Sequence, residues 1–443
     1  MTARDVQIAL TLGGVDVLDY AIEEARITWG RGDLFDQADV STLALVLDVD
    51  RAGWDVDALP FDLGSDVLVE AIDSSGLGAD DETVFVGRVT DLDLDHNPDT
   101  GHAEVKVTAD DPLAQLAHVY VGDEPWPEES AVARAERIAA LLPVGLAGFE
   151  SEFGALPEQN WTVRERDVDR QPALSLMQDV ARSTDTALYV VRGEPGETAL
   201  KWLYHGLSLD HPGRVFELDV GSGLYEIVDA SGVEEVALSA DYLGRGVNYR
   251  KGLAQLVTHA QVDYWDSVGE TDVSVLYING AAEAAHGTRR ESVRTQLVDQ
   301  ADAETLAART LLRGVPSWRT DTLTWDPTDG GPSTSLVGTT TMFRFLRLRD
   351  RVGLGVLVSD LPAWVPAEVD YVFVEGGVLR YLVDDFPHAD GHTGRWVVTL
   401  ALVPSAGIGR GITYAEALSE HPGMTYENVD PAVRYIDALS VGV

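Results

Sequence analysis

The chain has 443 residues, enough for two to four domains with sizeable cores. It has no cysteine, which excludes disulfides, thiolate zinc sites and thiol catalysis. Its 74 acidic side chains against 32 basic ones give a formal net charge of −42, a field that repels nucleic acid and argues against phosphate-tracking binding.

The charge is uneven. Residues 1–130 hold 30 Asp/Glu and 6 Lys/Arg, whereas residues 285–351 hold 10 Arg and 8 Asp/Glu. Such a field suits a conduit that DNA must traverse without sticking, and it equally suits plain solubility or a salt-adapted host. No apolar run approaches the roughly 18 residues that span a bilayer, and the start, MTARDVQIALTLGG, lacks a basic segment followed by a long apolar core. Neither membrane insertion nor Sec export is expected.

In chain order, Val6 to Leu12 and Val15 to Ile22 read as short strands around the turn dipeptide Gly13-Gly14. In the next segment Leu43, Leu45, Leu47 and Val49 alternate with polar positions, as in a half-buried strand. Val67 to Ile72 follows, then Val84 to Asp95, whose Leu92 and Leu94 oppose Asp91, Asp93 and Asp95. The return strand Ala103 to Ala109 alternates Val105 and Val107 with Glu104, Lys106 and Thr108. Gly30-Arg31 and Gly87-Arg88 mark bends and counter-charges in this acidic third. Residues 1–112 thus read as one antiparallel β-domain.

Past Pro112, Ser130 to Leu142 carries Ala131, Ala135, Ile138 and Leu142 at helical spacing, and Ala173 to Arg182 is a second helix behind Pro172. Strands Ala187 to Val191 and Ala199 to Tyr204 complete an α/β insert over 113–215. From 216 the β pattern resumes, with strands expected at Val236 to Ser239, Gly246 to Tyr249 and Leu256 to Val262. Asp302 to Arg313 is a helix with acids near its start, Arg309 and Arg313 near its end and Gly314 behind it. Tyr371 to Val374 and Val378 to Val383 read as a tight hairpin around Glu375-Gly376-Gly377. Trp396 to Val403 closes the unit 216–404, and residues 405–443 are a C-terminal extension carrying Tyr414, Tyr426 and Tyr435. The fold class is β-rich α+β.

Candidate chemistry is sparse. Asp93-x-Asp95-x-Asn97 with Glu104 has the skeleton of a calcium loop, but Pro98 stands where a glycine is needed, so a plain hairpin competes with it. His388-x-Asp390-x-His392 could grip a transition metal but has no third ligand cluster. Gly353-Leu-Gly355 and Gly407-Ile-Gly409-Arg-Gly411 lack the dinucleotide spacing. No Gly-x-Ser-x-Gly or His-Glu-x-x-His occurs. No catalytic residue, cofactor-binding residue or metal ligand is therefore assigned, and the chain is not expected to be an enzyme. Arg289, Arg290 and Arg294, and Arg344, Arg347, Arg349 and Arg351, are the basic concentrations; they either balance charge within the chain or meet an acidic face of a neighbouring subunit.

The ordered features resemble the tail hub, or minor tail, proteins of long-tailed bacteriophages, especially those of actinobacterial hosts. These are relatives of the hub in contractile baseplates and of type VI secretion spikes. The likeness rests on Thr28-Trp29-Gly30-Arg31 before Ser41 to Asp48, Phe85 to Asp91, Val107 to Asp110, Gly122 to Pro127, Leu174 to Val191, Arg289 to Arg313 and Asp370 to Pro404. It spans most of residues 5–404 and leaves 405–443 unmatched. The resemblance implies two tail-tube-like β-barrels per chain, over 1–112 and 216–404. It also implies a homotrimer whose pseudo-sixfold ring joins a sixfold tail tube to the tip around the DNA exit channel. The implied partners are a distal tail protein or the tail tube, the tape measure protein, and tip or fibre proteins of the virion. A receptor- or glycan-binding tip protein is the rival reading, with Trp126, Trp161, Trp265 and Trp364 as sugar platforms, and a cell-wall hydrolase is the third.

Overall fold

The computed structural model describes residues 6–31, 37–73, 82–98, 101–122, 124–141, 148–150, 161–192, 198–204, 215–219, 225–228, 249–253, 256–313, 318–320, 322–325, 355–359, 371–383 and 394–404. The expected strand Val236 to Ser239, the Gly407 to Gly411 run and the extension 405–443 lie outside these residues.

Strand β1 (Val6–Leu12) buries Val6, Ile8, Leu10 and Leu12 and leaves the residues between them half-buried. That period of two is what a strand with one core face requires. Gly13 and Gly14, at φ +58° and +81°, close the turn to β2 (Val15–Asp16), a geometry that needs two left-handed residues. The expected strand Val15 to Ile22 breaks after Asp16. Its carboxylate accepts from the Leu18 N–H at 3.1 Å, a 3-10 turn Leu18–Tyr20 follows, and β3 (Ala21–Gly30) begins there. Next, β4 (Asp39–Asp48) runs into the one-turn helix α1 (Val49–Ala52), capped by the Asp48 side chain and stopped by left-handed Gly53. After it come β5 (Asp66–Asp73), β6 (Glu82–His96) and β7 (Ala103–Asp110).

A helical region comes next, with α2 (Pro112–Leu116), β8 (Tyr120–Val121), β9 (Glu129–Ser130) and α3 (Ala131–Ala140). Asp111 and Ser130 cap the two helices through their side chains, satisfying N–H groups that a helix start leaves open. Then β10 (Gly148–Glu150), β11 (Thr162–Val163), β12 (Gln171–Pro172), α4 (Ala173–Ser183), β13 (Thr186–Arg192) and β14 (Thr198–Tyr204) follow. Ala135 and Ile138 of α3 pack with Leu176, Met177 and Val180 of α4 in a separate small core.

The remaining strands are β15 (Val215–Asp219), β16 (Tyr225–Val228), β17 (Tyr249–Lys251), β18 (His259–Asp266), β19 (Thr271–Ile278), β20 (Arg290–Arg294), β21 (Trp318–Thr320), β22 (Thr322–Trp325), β23 (Gly355–Ser359), β24 (Tyr371–Val383) and β25 (Gly394–Pro404). Helix α5 (Gly280–His286) links β19 to β20, and α6 (Gln300–Arg313) realises the helix expected at 302–313. Leu306 and Ala307 of α6 cover Ala260, Val262 and Tyr264 of β18 in a third core. The strand expected from Leu256 starts only at His259. Before it, the Thr258 N–H and hydroxyl both bond the Arg289 backbone.

The main sheet runs β16-β15-β23-β24-β3-β4-β7-β6-β5-β1-β2, with β25 on β24 and β22 on β25. Its pairs are antiparallel except β15 with β23. The sheet curls as a half-barrel around one core, in which Leu10, Leu45, Phe85 and Val107 meet Tyr381, Trp396 and Leu400. At the seam the Tyr381 hydroxyl lies 3.3 Å from Gln7 Oε1, and Trp396 Nε1 donates to the Gln7 carbonyl at 3.5 Å.

One expectation is overturned here. Residues 371–383 are a single strand and not a tight hairpin around Glu375-Gly376-Gly377. The glycines mark close backbone approach: a Cβ on Gly376 would stand 2.5 Å from the Trp29 carbonyl oxygen, and one on Gly377 would strike that of Thr399. The register slips between Val374 and Gly376, so Glu375 is a bulge residue between β3 and β25. Through this strand, β24 and β25 join the same sheet as β1 to β7.

Candidate functional site

The outer wall of the half-barrel carries a row of acidic residues. Across β4, β7 and β6, Asp48 pairs with Glu104 and Glu104 with Asp95, so their side chains share one face, opposite to the inward Leu47 and Val105. Like charges directly opposite one another destabilise a sheet. Three groups offset them: Lys106 Nζ stands 2.9 Å from Asp95, His102 Nδ1 stands 2.9 Å from Asp48 Oδ2, and the Asn97 amide donates to Glu104. The Asp95 hydrogen bond, then its charge, raises the Lys106 ammonium, and the same bond holds the Asp95 carboxyl below its usual range. At His102, the hydrogen bond to Asp48 and then its charge raise the imidazole. Burial works to raise the Asp48 carboxyl, but the Arg51 N–H and His102 outweigh it and hold the group low.

Asp48, Asp50 and His102 bring three potential metal-ligand atoms within 4.8 Å of one another. The sequence did not single out this group, because His102 lies 54 residues beyond Asp48 and only the β4–β7 register joins them. Its hydrogen bonds give it a structural role: Asp48 caps α1 through the Arg51 N–H, and Asp50 accepts from the Ala103 N–H at 2.7 Å. The group ties α1 to the start of β7. The calcium-loop candidates behave differently. Asp93 and Asp95 lie exposed on β6, Asp95 is taken by Lys106, and neither joins Glu104 in a convergent ligand group among the described residues. The candidate His388-x-Asp390-x-His392 lies outside the described residues.

Both arginines of the Gly-Arg pairs find partners within the chain. Arg31 bonds Glu375 through its side chain, and its N–H donates to the Glu375 carbonyl at 2.9 Å. Gly30 sits at φ +97°, and its missing Cβ leaves room for the Glu375-Gly376 backbone, so the turn that delivers Arg31 to Glu375 needs glycine. Arg88 meets Asp66 at 3.2 Å on the surface. No signal in the sequence pairs Arg31 with a residue 344 positions away.

In the helical region Arg134 is a second buried cation. It bonds Glu129 at 2.6 Å and the carbonyls of Pro127 and Arg164, and lies 5.2 Å from the Trp126 ring centroid. Burial lowers the Arg134 pKa despite Glu129. Burial works to raise the Glu129 carboxyl in turn, but Arg137 and Arg134 hold it low. Trp126 and Trp161 are buried, and Trp265 is half-buried with Arg164 over its ring. Trp364 and the arginines from Arg344 to Arg351 lie outside the described residues.

No protein-family model matches the sequence, and no curated protein matches it. Solved structures do. A tail protein of Neisseria meningitidis MC58 superposes with a TM-score of 0.53 at 12% identity, covering 91% of this chain and 97% of that one. A 43 kDa tail protein of prophage MuSo2 from Shewanella oneidensis superposes at 0.51 and 12% identity, covering 90% and 98%. This chain shares the fold of these two tail proteins over about nine-tenths of its length.

Proposed function

We propose that this chain is a structural protein of a phage tail, placed at the tail tip as a hub. In this reading three copies form a ring that joins the sixfold tail tube to the tip and surrounds the DNA exit channel. Its neighbours in the virion are the tube or a distal tail protein, the tape measure protein, and tip or fibre proteins. The likeness of fold to two tail proteins over about nine-tenths of the chain carries the reading, because it extends over the insert as well as the curled sheet. The charge of −42 supports the channel, since a wall of carboxylates keeps DNA from adhering.

The glycan-binding alternative is weaker, because two of its four tryptophans, Trp126 and Trp161, are core residues. Light scattering on the purified chain tests the assembly: the hub reading expects three times the mass of one chain, and a stable monomer that binds host sugars would favour the alternative.

A further inference from the structure

The three-stranded sheet β19-β18-β20 is covered on one face only. Ala260, Val262 and Tyr264 of β18 lie under Leu306 and Ala307 of α6, with Val273, Val275 and Val293 of the neighbouring strands packed against them. The alternate residues point the other way. There Ile278, His259 and Arg290 stand in one row across the three strands, Leu276, Gln261 and Ser292 in the next, and Ser274, Asp263 and Arg294 in a third. His259 is buried, with Glu283 of α5 at 3.5 Å. Leu276 and Ile278 are 44% and 50% exposed, and Arg290, Ser292 and Arg294 are exposed as well. Asp263 accepts from Ser274 and Gln261, and Arg290 and Arg294 have no ion pair among the described residues. In a chain of net charge −42 this face is both aliphatic and cationic.

A second surface is the loop 53–65 between α1 and β5. Trp54 meets Tyr20 and Phe61 edge-on, at 5.0 and 5.6 Å between ring centroids, and Phe61 is buried in the main core. Backbone bonds from Ala58 to Asp55, from Ser65 to Asp62 and from Gly64 to Val89 fix the rest of the loop. Val56 and Leu63 are nonetheless 39% and 61% exposed. Their sequence neighbours Asp55, Asp57 and Asp62 are exposed too, with no ion pair among the described residues. A loop held this firmly with aliphatic side chains in water is preorganised for a partner.

The two surfaces are complementary. Each holds two exposed aliphatic side chains, one pair beside aspartates and the other beside arginines. An apolar centre with charges at its rim is the anatomy of a protein interface, and opposite charge across it selects the partner and rejects wrong ones. Elsewhere the excess of acids makes one copy repel another. The face bearing Arg290 and Arg294 is where the acidic loop of another copy can approach without that cost. Both surfaces are exposed within one chain, so neither covers the other in the same copy.

We propose that the loop 53–65 of one copy docks on the open face of the β19-β18-β20 sheet of a second copy, with Val56 and Leu63 against Leu276 and Ile278 and the loop aspartates toward Arg290 and Arg294. A contact between two different surfaces is head-to-tail, and it closes into a ring when the rotation allows; the proposal rests on the ring reading above and assigns one of its interfaces.

Light scattering on two variants tests the contact. Asp57→Lys with Leu63→Lys changes only exposed side chains of the loop, and Arg290→Glu with Arg294→Glu changes only exposed side chains of the sheet. Wild type should be oligomeric and each variant monomeric, with near-UV circular dichroism unchanged. Mixing the two variants should restore association, because the sheet variant keeps its loop and the loop variant keeps its sheet; a mixture that stays monomeric overturns the head-to-tail contact. An oligomer that persists in either variant overturns this interface and leaves the ring reading standing, whereas a monomeric wild type overturns both. Should a variant misfold, cross-linking replaces it, since the chain has no cysteine of its own. Leu63→Cys with Ile278→Cys should give multimers with a short bis-maleimide, and either change alone should give none. Cross-linking by a single variant, or none by the double one, overturns the proposal.

Discussion

Glu375→Ala is the substitution that most severely tests the account of the half-barrel. The Arg31 and Glu375 side chains are 2% and 6% exposed, so deleting the carboxylate takes the Glu375 charge away from a guanidinium buried in the core. Breaking a buried pair from one side costs about 3–5 kcal/mol. The surface pair Arg88–Asp66 is the matched control: its side chains are 54% and 85% exposed, and Asp66→Ala should cost about 0–1 kcal/mol. In thermal unfolding followed by circular dichroism, Glu375→Ala should lower Tm by at least about 3 °C. Arg31→Met combined with Glu375→Leu should recover most of that loss, because no charge is left buried. If Glu375→Ala costs no more than Asp66→Ala, the pair does not lock β24 to β3 and the reasoning fails.

Gly30→Ala should also destabilise, by about 1–3 kcal/mol, because φ +97° strains any side chain and the Gly376 backbone fills the space; urea unfolding measures it, and an unchanged midpoint contradicts it. Arg134→Lys should loosen the helical region, since an ammonium lacks the planar fork that reaches Glu129 and two carbonyls at once. Limited proteolysis should then cut around residues 127–140 several-fold faster than in wild type, and equal rates would count against it. His102→Gln tests the outer-wall pair through pH. The imidazole is raised in the folded state, so its stabilisation is full below the ordinary value of 6.5 and lost as pH climbs through the raised one. The Asp48 carboxyl is lowered, so its share is present above 3.8 and lost as pH falls through the lowered value. The wild-type advantage over His102→Gln should therefore peak between those two values, and a difference that is flat with pH would refute the pairing.

Local signals were legible. The Gly13-Gly14 turn, the alternation through Leu43 to Leu47 and the pairing of Val105 and Val107 with Leu94 and Leu92 all appear as the sequence reads, because each depends on neighbours a few residues apart or on one hairpin. The helices at Ala131, Ala173 and Gln300 follow from the spacing of their apolar residues, with Ser130 capping the first, Pro172 leading the second and Asp299 capping the third. What could not be read is non-local. Glu375-Gly376-Gly377 has the composition of a turn, and only the presence of β3 and β25 on either side turns it into a bulged strand. The same holds for the Arg31–Glu375 pair and for His102 beside Asp48, where register and not sequence distance brings the charges together.

The most direct measurement of the central claim is electron microscopy of intact particles labelled with antibody against this chain. A hub predicts label confined to the end of the tail, at one site per particle. Label along the tail shaft or on the capsid would contradict it.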